Sequence, residues 1–166
     1  NQLGMSKIPQ FLITLMLYAC QKATNLEFSG ENALLFAKTQ MDFGARTPGS
    51  LAHDNTVEWI QSHLIENKWD VEIQSEETSL HKIKNIIAKR NNSDGPWIII
   101  AAHYDSRLYA DQDSQIENRK LPVPGANDGA SGVAVLMELA RVLPETIDKN
   151  IWLVFFDAED QGYIDS

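Results

Sequence analysis

Cysteine is almost missing from this chain of 166 residues, which has one, Cys20. No internal disulfide can form, and no zinc site can be built from cysteines alone. Histidine is scarce as well, with four in the whole chain. Any metal site must therefore draw on His, Asp and Glu. Positive charge is short: 14 basic residues stand against 23 acidic ones, for a net charge of -9. With no basic block either, nucleic acid is excluded as a partner. No apolar run approaches the roughly 20 residues that span a bilayer, and no internal repeat is visible. What remains is a globular composition, 43% apolar and 22% charged, in a chain long enough for one domain with a real core.

The N-terminal region reads as a targeting segment. Residues 1–4 precede Met5 and look like upstream read-through. Lys7 supplies a positive charge, the apolar run Phe11–Ala19 follows, and Cys20 ends it. A charged start, a short apolar core and a small residue before the break predict a secretory signal. Leu17-Tyr18-Ala19-Cys20 resembles the bacterial lipobox, in which the cysteine is lipidated and becomes the new N-terminus. The alternative is a buried amphipathic helix with an inert cysteine. The expectation is a signal and linker over 1–28, a catalytic-type domain over 29–166, and an exported protein, periplasmic or extracellular, whose membrane contact is a lipid anchor at Cys20.

Periodicity organises the rest. Ser29 is a plausible N-cap, followed by Ala33, Leu34, Phe36, Ala37, Met41 and Phe43 at helical spacing. The stretch from Phe43 to Ser50 is a Gly/Pro-punctuated loop. A second helix is predicted with Val57, Ile60, Leu64 and Ile65 on one face and His53, Glu58, Gln61 and Glu66 largely on the other. Asp70–Gln74 alternates like an edge strand, and 84–89 is a second strand. Trp97–Ala102 is almost continuously apolar, as expected of a strand covered on both faces. Residues 104–127 form a long polar loop, of a length that is usually functional. A helix runs from about Ala130 to Leu143, and Ile151–Phe156 is another apolar strand. Strand, helix, strand predicts an α/β fold with a largely parallel sheet.

In such sheets, ligands bind beyond the carboxyl ends of the strands. The first apolar strand ends in His103-Tyr104-Asp105. The second ends in Asp157-Ala158-Glu159-Asp160. Gly125-Ala126-Asn127-Asp128-Gly129 precedes a helix. His103, Asp105, Asp128, Glu159 and Asp160 could thus converge on one crevice. Oxygen donors with one imidazole suit zinc in a hydrolytic site. Each also has a plain alternative: a strand-end histidine, a loop carboxylate, a helix N-cap at Asp128, a solvated strand end. The spacing of His103 and Asp105 lets the carboxylate orient the imidazole. Two adjacent acids after six apolar residues suit a ligand plus a general base.

Three ordered motifs resemble the superfamily of zinc aminopeptidases and glutaminyl cyclases. They are His103-Tyr104-Asp105-Ser106-Arg107, the stretch Pro122–Gly132, and Phe155-Phe156-Asp157-Ala158-Glu159-Asp160. Arg46-Thr47-Pro48-Gly49-Ser50 and Asn85-Ile86-Ile87-Ala88 match its upstream pattern, so the resemblance covers about residues 31–166. It implies a three-layer α/β/α architecture with a mostly parallel mixed sheet, truncated at the C-terminus. In the two-zinc aminopeptidases, His103 would bind one zinc and Asp105 would orient it. Asp128 would bridge both ions, Asp160 would bind the second, and Glu159 would be the general base. Asp160 stands where the family commonly has the longer Glu. In the cyclases one zinc would be held by Asp128, Asp160 and a distant histidine, and Glu159 would shuttle a proton.

The family places a further acidic ligand and a last histidine downstream of Asp160, and neither lies within the six residues that follow it here. Arg107, the Arg46–Ser50 stretch and Trp69 look cyclase-like, whereas Gly125–Gly132 looks peptidase-like. The first expectation is therefore a zinc aminopeptidase acting on peptide N-termini, inactive as a fragment. The second is a glutaminyl-peptide cyclotransferase. Further alternatives are a peptidase-like binding ectodomain without catalysis, and a structural lipoprotein.

Overall fold

A computed structural model describes residues 26–79, 82–91 and 94–160. The signal and lipidation motif, including Cys20, lies outside the described residues. Among the described residues, no helix is long and apolar enough to cross a membrane.

Helix α1 spans Gly30–Phe43, and the Ser29 side chain caps it by accepting from Asn32 N at 3.2 Å. Helix α2 spans Leu51–Glu66, capped in the same way by Ser50 through His53 N. Strands β1 (Asp70–Glu77), β2 (Lys82–Asn91), β3 (Trp97–His103) and β4 (Asn150–Phe156) form one sheet in the order β1-β2-β4-β3. Helix α3 (Ala130–Val142) connects β3 to β4, after a long loop that contains one 3-10 turn, Ile116–Lys120.

The sheet is mixed, as the α/β expectation requires. β3 and β4 pair in parallel around the α3 crossover, with His103 opposite Phe156. β1–β2 and β2–β4 are antiparallel. Antiparallel pairs thus outnumber the parallel one among the described strands, because β1 and β2 form an antiparallel pair that joins the edge of β4.

One apolar cluster holds helices and sheet together. Val57, Ile60 and Leu64 of α2 meet Val133, Leu136 and Met137 of α3 over Ile86, Leu153 and Phe155 of the sheet. All three described helices belong to this side. The opposite sheet face carries Trp97, Ile99, Trp152 and Val154. There Trp97 and Ile99 are 57% and 62% exposed. The expectation that β3 is covered on both faces is not met, because no described residue lies over its outer side.

A second correction concerns α2. His53 is almost fully buried and Ile65 is about half exposed. Positions 53, 57, 60 and 64 are separated by four, three and four residues, the spacing of one helical stripe. The imidazole therefore shares the inner face with Val57, Ile60 and Leu64.

Candidate active site

Parallel pairing of β3 and β4 delivers their carboxyl ends side by side. Tyr104 N donates to Phe156 O at 3.0 Å, one step past the ladder. The His103–Asp105 segment and the Asp157–Asp160 turn therefore leave the sheet together. The loop before α3 closes the third side.

Asp105 is the hub of this crevice. It is fully buried. Oδ1 lies 3.3 Å from His103 Nδ1 and accepts from Glu159 N at 3.2 Å, while Oδ2 accepts from Asp160 N at 3.0 Å. One carboxylate thus fixes both the imidazole and the turn that carries the two adjacent acids. Charge-assisted bonds of this kind are the stronger class.

His103 turns its other nitrogen outward, with Nε2 2.9 Å from Asp128 Oδ1. Asp128 does not cap α3. Gly129 occupies that position, and no side chain caps there. At Gly129, φ is +89°, and a Cβ would come within 2.9 Å of the Asp105 carbonyl. Glycine is required on both counts. Glu159 Oε2 approaches His103 Nδ1 at 3.9 Å and its side chain is largely exposed. The hydrogen bond to Asp105 raises the His103 pKa to about 9, against the opposing pull of burial and with help from Asp128 and Glu159.

Asp160 faces the same cleft, but its Oδ1 is held by Arg107 Nε at 2.7 Å. Arg107 Nη1 also donates to Asp111 at 2.9 Å. These two acids raise the Arg107 pKa further. Asp128 and Asp160 line a cleft of about 290 Å³ together with Arg107, Asp111, Asp113 and Val123.

The structure thus brings His103, Asp105, Asp128 and Glu159 into one hydrogen-bonded or near-contact set, and joins Asp160 to it through the Asp105-bound turn. Oxygen donors of this type, with an imidazole at hand, match zinc chemistry. Among the described residues, however, no three such side chains are gathered at metal-holding distances.

Two further residues shape the site: Arg46, which opens the upstream motif Arg46–Ser50, and His53, which carries little sequence signal as a participant. Arg46 is fully buried, and burial lowers its pKa to about 10. It donates from Nε to Tyr104 O at 2.8 Å, from Nη1 to Pro124 O at 3.0 Å and from Nη2 to Gly125 O at 2.7 Å. It thereby pins the loop before Asp128 to the end of β3. His53 lies beneath the Asp157 turn. Only its place on the apolar stripe of α2 could have flagged it.

Residues 85–166 match Peptidase family M28. The solved glutaminyl cyclase of Porphyromonas gingivalis is 35% identical, with a TM-score of 0.76, over 83% of this chain and 51% of that one. A leucine aminopeptidase precursor from Bacteroides thetaiotaomicron is 33% identical, with a TM-score of 0.76, over 86% of this chain and 51% of that one. Aminopeptidase YwaD of Bacillus subtilis is 30% identical over 158 residues, 88% of this chain and 31% of its own length. The chain therefore spans about half the length of those solved structures and less than a third of that curated relative. Both the motifs and the fold of the chain are shared by zinc exopeptidases and glutaminyl cyclases, and residues 85–166 carry its match to Peptidase family M28.

Proposed function

We propose that the protein is a zinc enzyme acting at the free N-termini of peptides, and that its reaction is cyclisation of N-terminal glutamine. The observation that carries this choice is the grip of Arg107 on Asp160. A guanidinium does not give up its charge. Its permanent charge offsets part of the negative charge that Asp128, Glu159 and Asp160 offer, so these acids balance one dication better than two. A single ion held in part by Asp128 and Asp160 suits this arrangement better than two. The aminopeptidase expected first from the sequence is the second reading. It is favoured by the 2.9 Å approach of His103 to Asp128, the two side chains that would share one zinc of a pair.

Zinc bound there would polarise the carbonyl under attack. The chain's own groups do the rest. Glu159 takes a proton from the substrate's α-amine as that nitrogen bonds to the side-chain amide carbon. It returns the proton to the departing nitrogen, which leaves as ammonia. Asp105 keeps Glu159 in reach by holding its backbone N–H. In the peptidase reading, Glu159 takes its proton from water instead. For location, we infer export and a lipid anchor at Cys20, supported by the motif that ends there.

The test uses the whole protein with a peptide that begins in glutamine. One zinc per chain and release of ammonia with a shortened-mass, blocked product support the cyclase. Two zincs and release of free amino acids support the peptidase. Neither product from any peptide sinks both readings.

A further inference from the structure

The two segments that carry the site pivot on one buried imidazole that the proposed chemistry does not use. His53 Nε2 lies 2.9 Å from each carboxylate oxygen of Asp157 and 3.0 Å from the Tyr104 hydroxyl. That hydroxyl spends its own proton on Lys84 O at 2.9 Å. Nε2–H is therefore the donor, shared between Asp157 and Tyr104. Asp157 also accepts from Lys84 N at 2.8 Å and from Ala158 N at 2.7 Å.

Ala158 has φ +56°, in the left-handed region that a side chain makes unfavourable. Such a residue persists where its surroundings over-determine it. Here the constraint is the Asp157 carboxylate below and the Asp105 carboxylate beyond. Glu159 and Asp160 follow directly. On the other side, Tyr104 sits between His103 and Asp105. One imidazole thus braces both halves of the crevice.

His53 is an expensive way to fill a core position. Its Nδ1 is buried without a hydrogen-bond partner, and the nearest acid oxygen, Asp54 Oδ1, is 3.7 Å away. An unpaired buried nitrogen costs stability, and a leucine of similar volume would leave none.

We propose that His53 is a positioning residue for the Glu159–Asp160 turn, acting through Asp157, and for the His103–Asp105 segment, acting through Tyr104. The role in turnover rests on the reading of Glu159 as the proton carrier, whereas the role in holding the turn does not.

The experiment uses the whole protein and four variants. His53→Leu removes the donor, and His53→Asn leaves an amide too short to reach Asp157. His53→Gln places an amide nitrogen near the position of Nε2. Ile60→Ala opens a core cavity about two helical turns from His53 and touches none of its hydrogen-bond partners. Amide hydrogen exchange at Ala158, Glu159 and Asp160 is compared with exchange along β4. We expect local exchange to speed by about tenfold or more in His53→Leu and His53→Asn, with β4 unchanged. His53→Gln should restore most of the protection. kcat should fall by roughly 10–100-fold with KM little changed, as a small misplacement of a reacting group does, and should recover in His53→Gln. Ile60→Ala should loosen the molecule evenly and leave kcat alone. If His53→Leu does not fold, the contrast of Asn with Gln carries the test. Exchange that rises evenly along β4 and the turn, or a Gln variant as loose as the Asn variant, would overturn the proposal. If the wild-type protein turns over no peptide, the enzyme reading fails, and the exchange contrast still decides the positioning role.

Discussion

Arg46 and Gly125 are 79 residues apart in sequence, yet the guanidinium Nη2 donates to the glycine carbonyl at 2.7 Å. The reverse constraint is equally tight. A Cβ on Gly125, whose φ is +67°, would fall 2.7 Å from that same nitrogen. The Gly125 backbone can approach the arginine only because it has no side chain, and the loop leading to Asp128 takes its path from that approach.

Arg46→Lys should therefore be a damaging change despite conserving charge. An ammonium cannot reproduce a planar fork that reaches the carbonyls of Tyr104, Pro124 and Gly125 together. Breaking this buried, charge-assisted set should cost about 2–4 kcal/mol. Urea unfolding of both proteins measures it. A loss below about 1 kcal/mol would mean that the loop does not depend on the fork.

Glu159→Gln should separate proton transfer from metal binding. The variant keeps the shape and the backbone bond to Asp105 but removes the proton acceptor. Turnover should drop by roughly 10²–10⁴-fold, while the zinc content of the whole protein stays near wild type. Asp128→Asn and Asp160→Asn should lose zinc along with activity. If Glu159→Gln loses its zinc in the same way, Glu159 is a ligand and the assignment is wrong.

The His103 environment predicts a pH dependence of stability in metal-free protein. Its folded pKa is raised to about 9 from an ordinary value of 6.5, first through the hydrogen bond to Asp105. A raised folded value means that the charged form stabilises the fold. That contribution is complete below about pH 6.5 and is lost as pH rises through about 9. Urea midpoints of metal-free wild type should fall over this window relative to those of His103→Gln. Parallel profiles for the two proteins would show that His103 carries no such linkage.

The sequence was most legible where one physical signal dominated. Ile151–Phe156 reads as a buried apolar strand, and the strand Asn150–Phe156 is buried at five of its seven positions, with Trp152 half-buried and Phe156 exposed. The acids after it read as a site because a strand end is where polar groups return to the surface. His53 departs from its expected outward place for a definite reason. Its side chain is polar, but its spacing from Val57 puts it on the apolar stripe, and its burial depends on an acid more than 100 positions away. The placement of Asp105 beneath the Glu159–Asp160 turn was hidden in the same way. Periodicity reports which side of an element faces inward, and it carries nothing about which distant backbone N–H groups will meet there. β3 fails for another reason. An apolar run signals a need for cover on both faces, but it does not say which part of a chain provides it.

That uncovered face gives the last expectation. Trp97 and Ile99 are exposed on it, beside Trp152, which packs edge-on against Trp97 with ring centroids 5.4 Å apart. Among the described strands β3 is last in the order, beside β4 alone, so its other edge also presents unpaired backbone groups. An exposed apolar strand at a sheet edge is a template for association. The 166-residue chain expressed alone should therefore self-associate and bind an apolar dye. Ile99→Lys places a charge in the middle of the patch and blunts the edge without touching the helix-side core. It should shift the chain toward monomer in analytical ultracentrifugation and reduce dye binding severalfold. If the chain alone is monomeric and dye-free, or if Ile99→Lys changes neither measurement, this face is not what drives association.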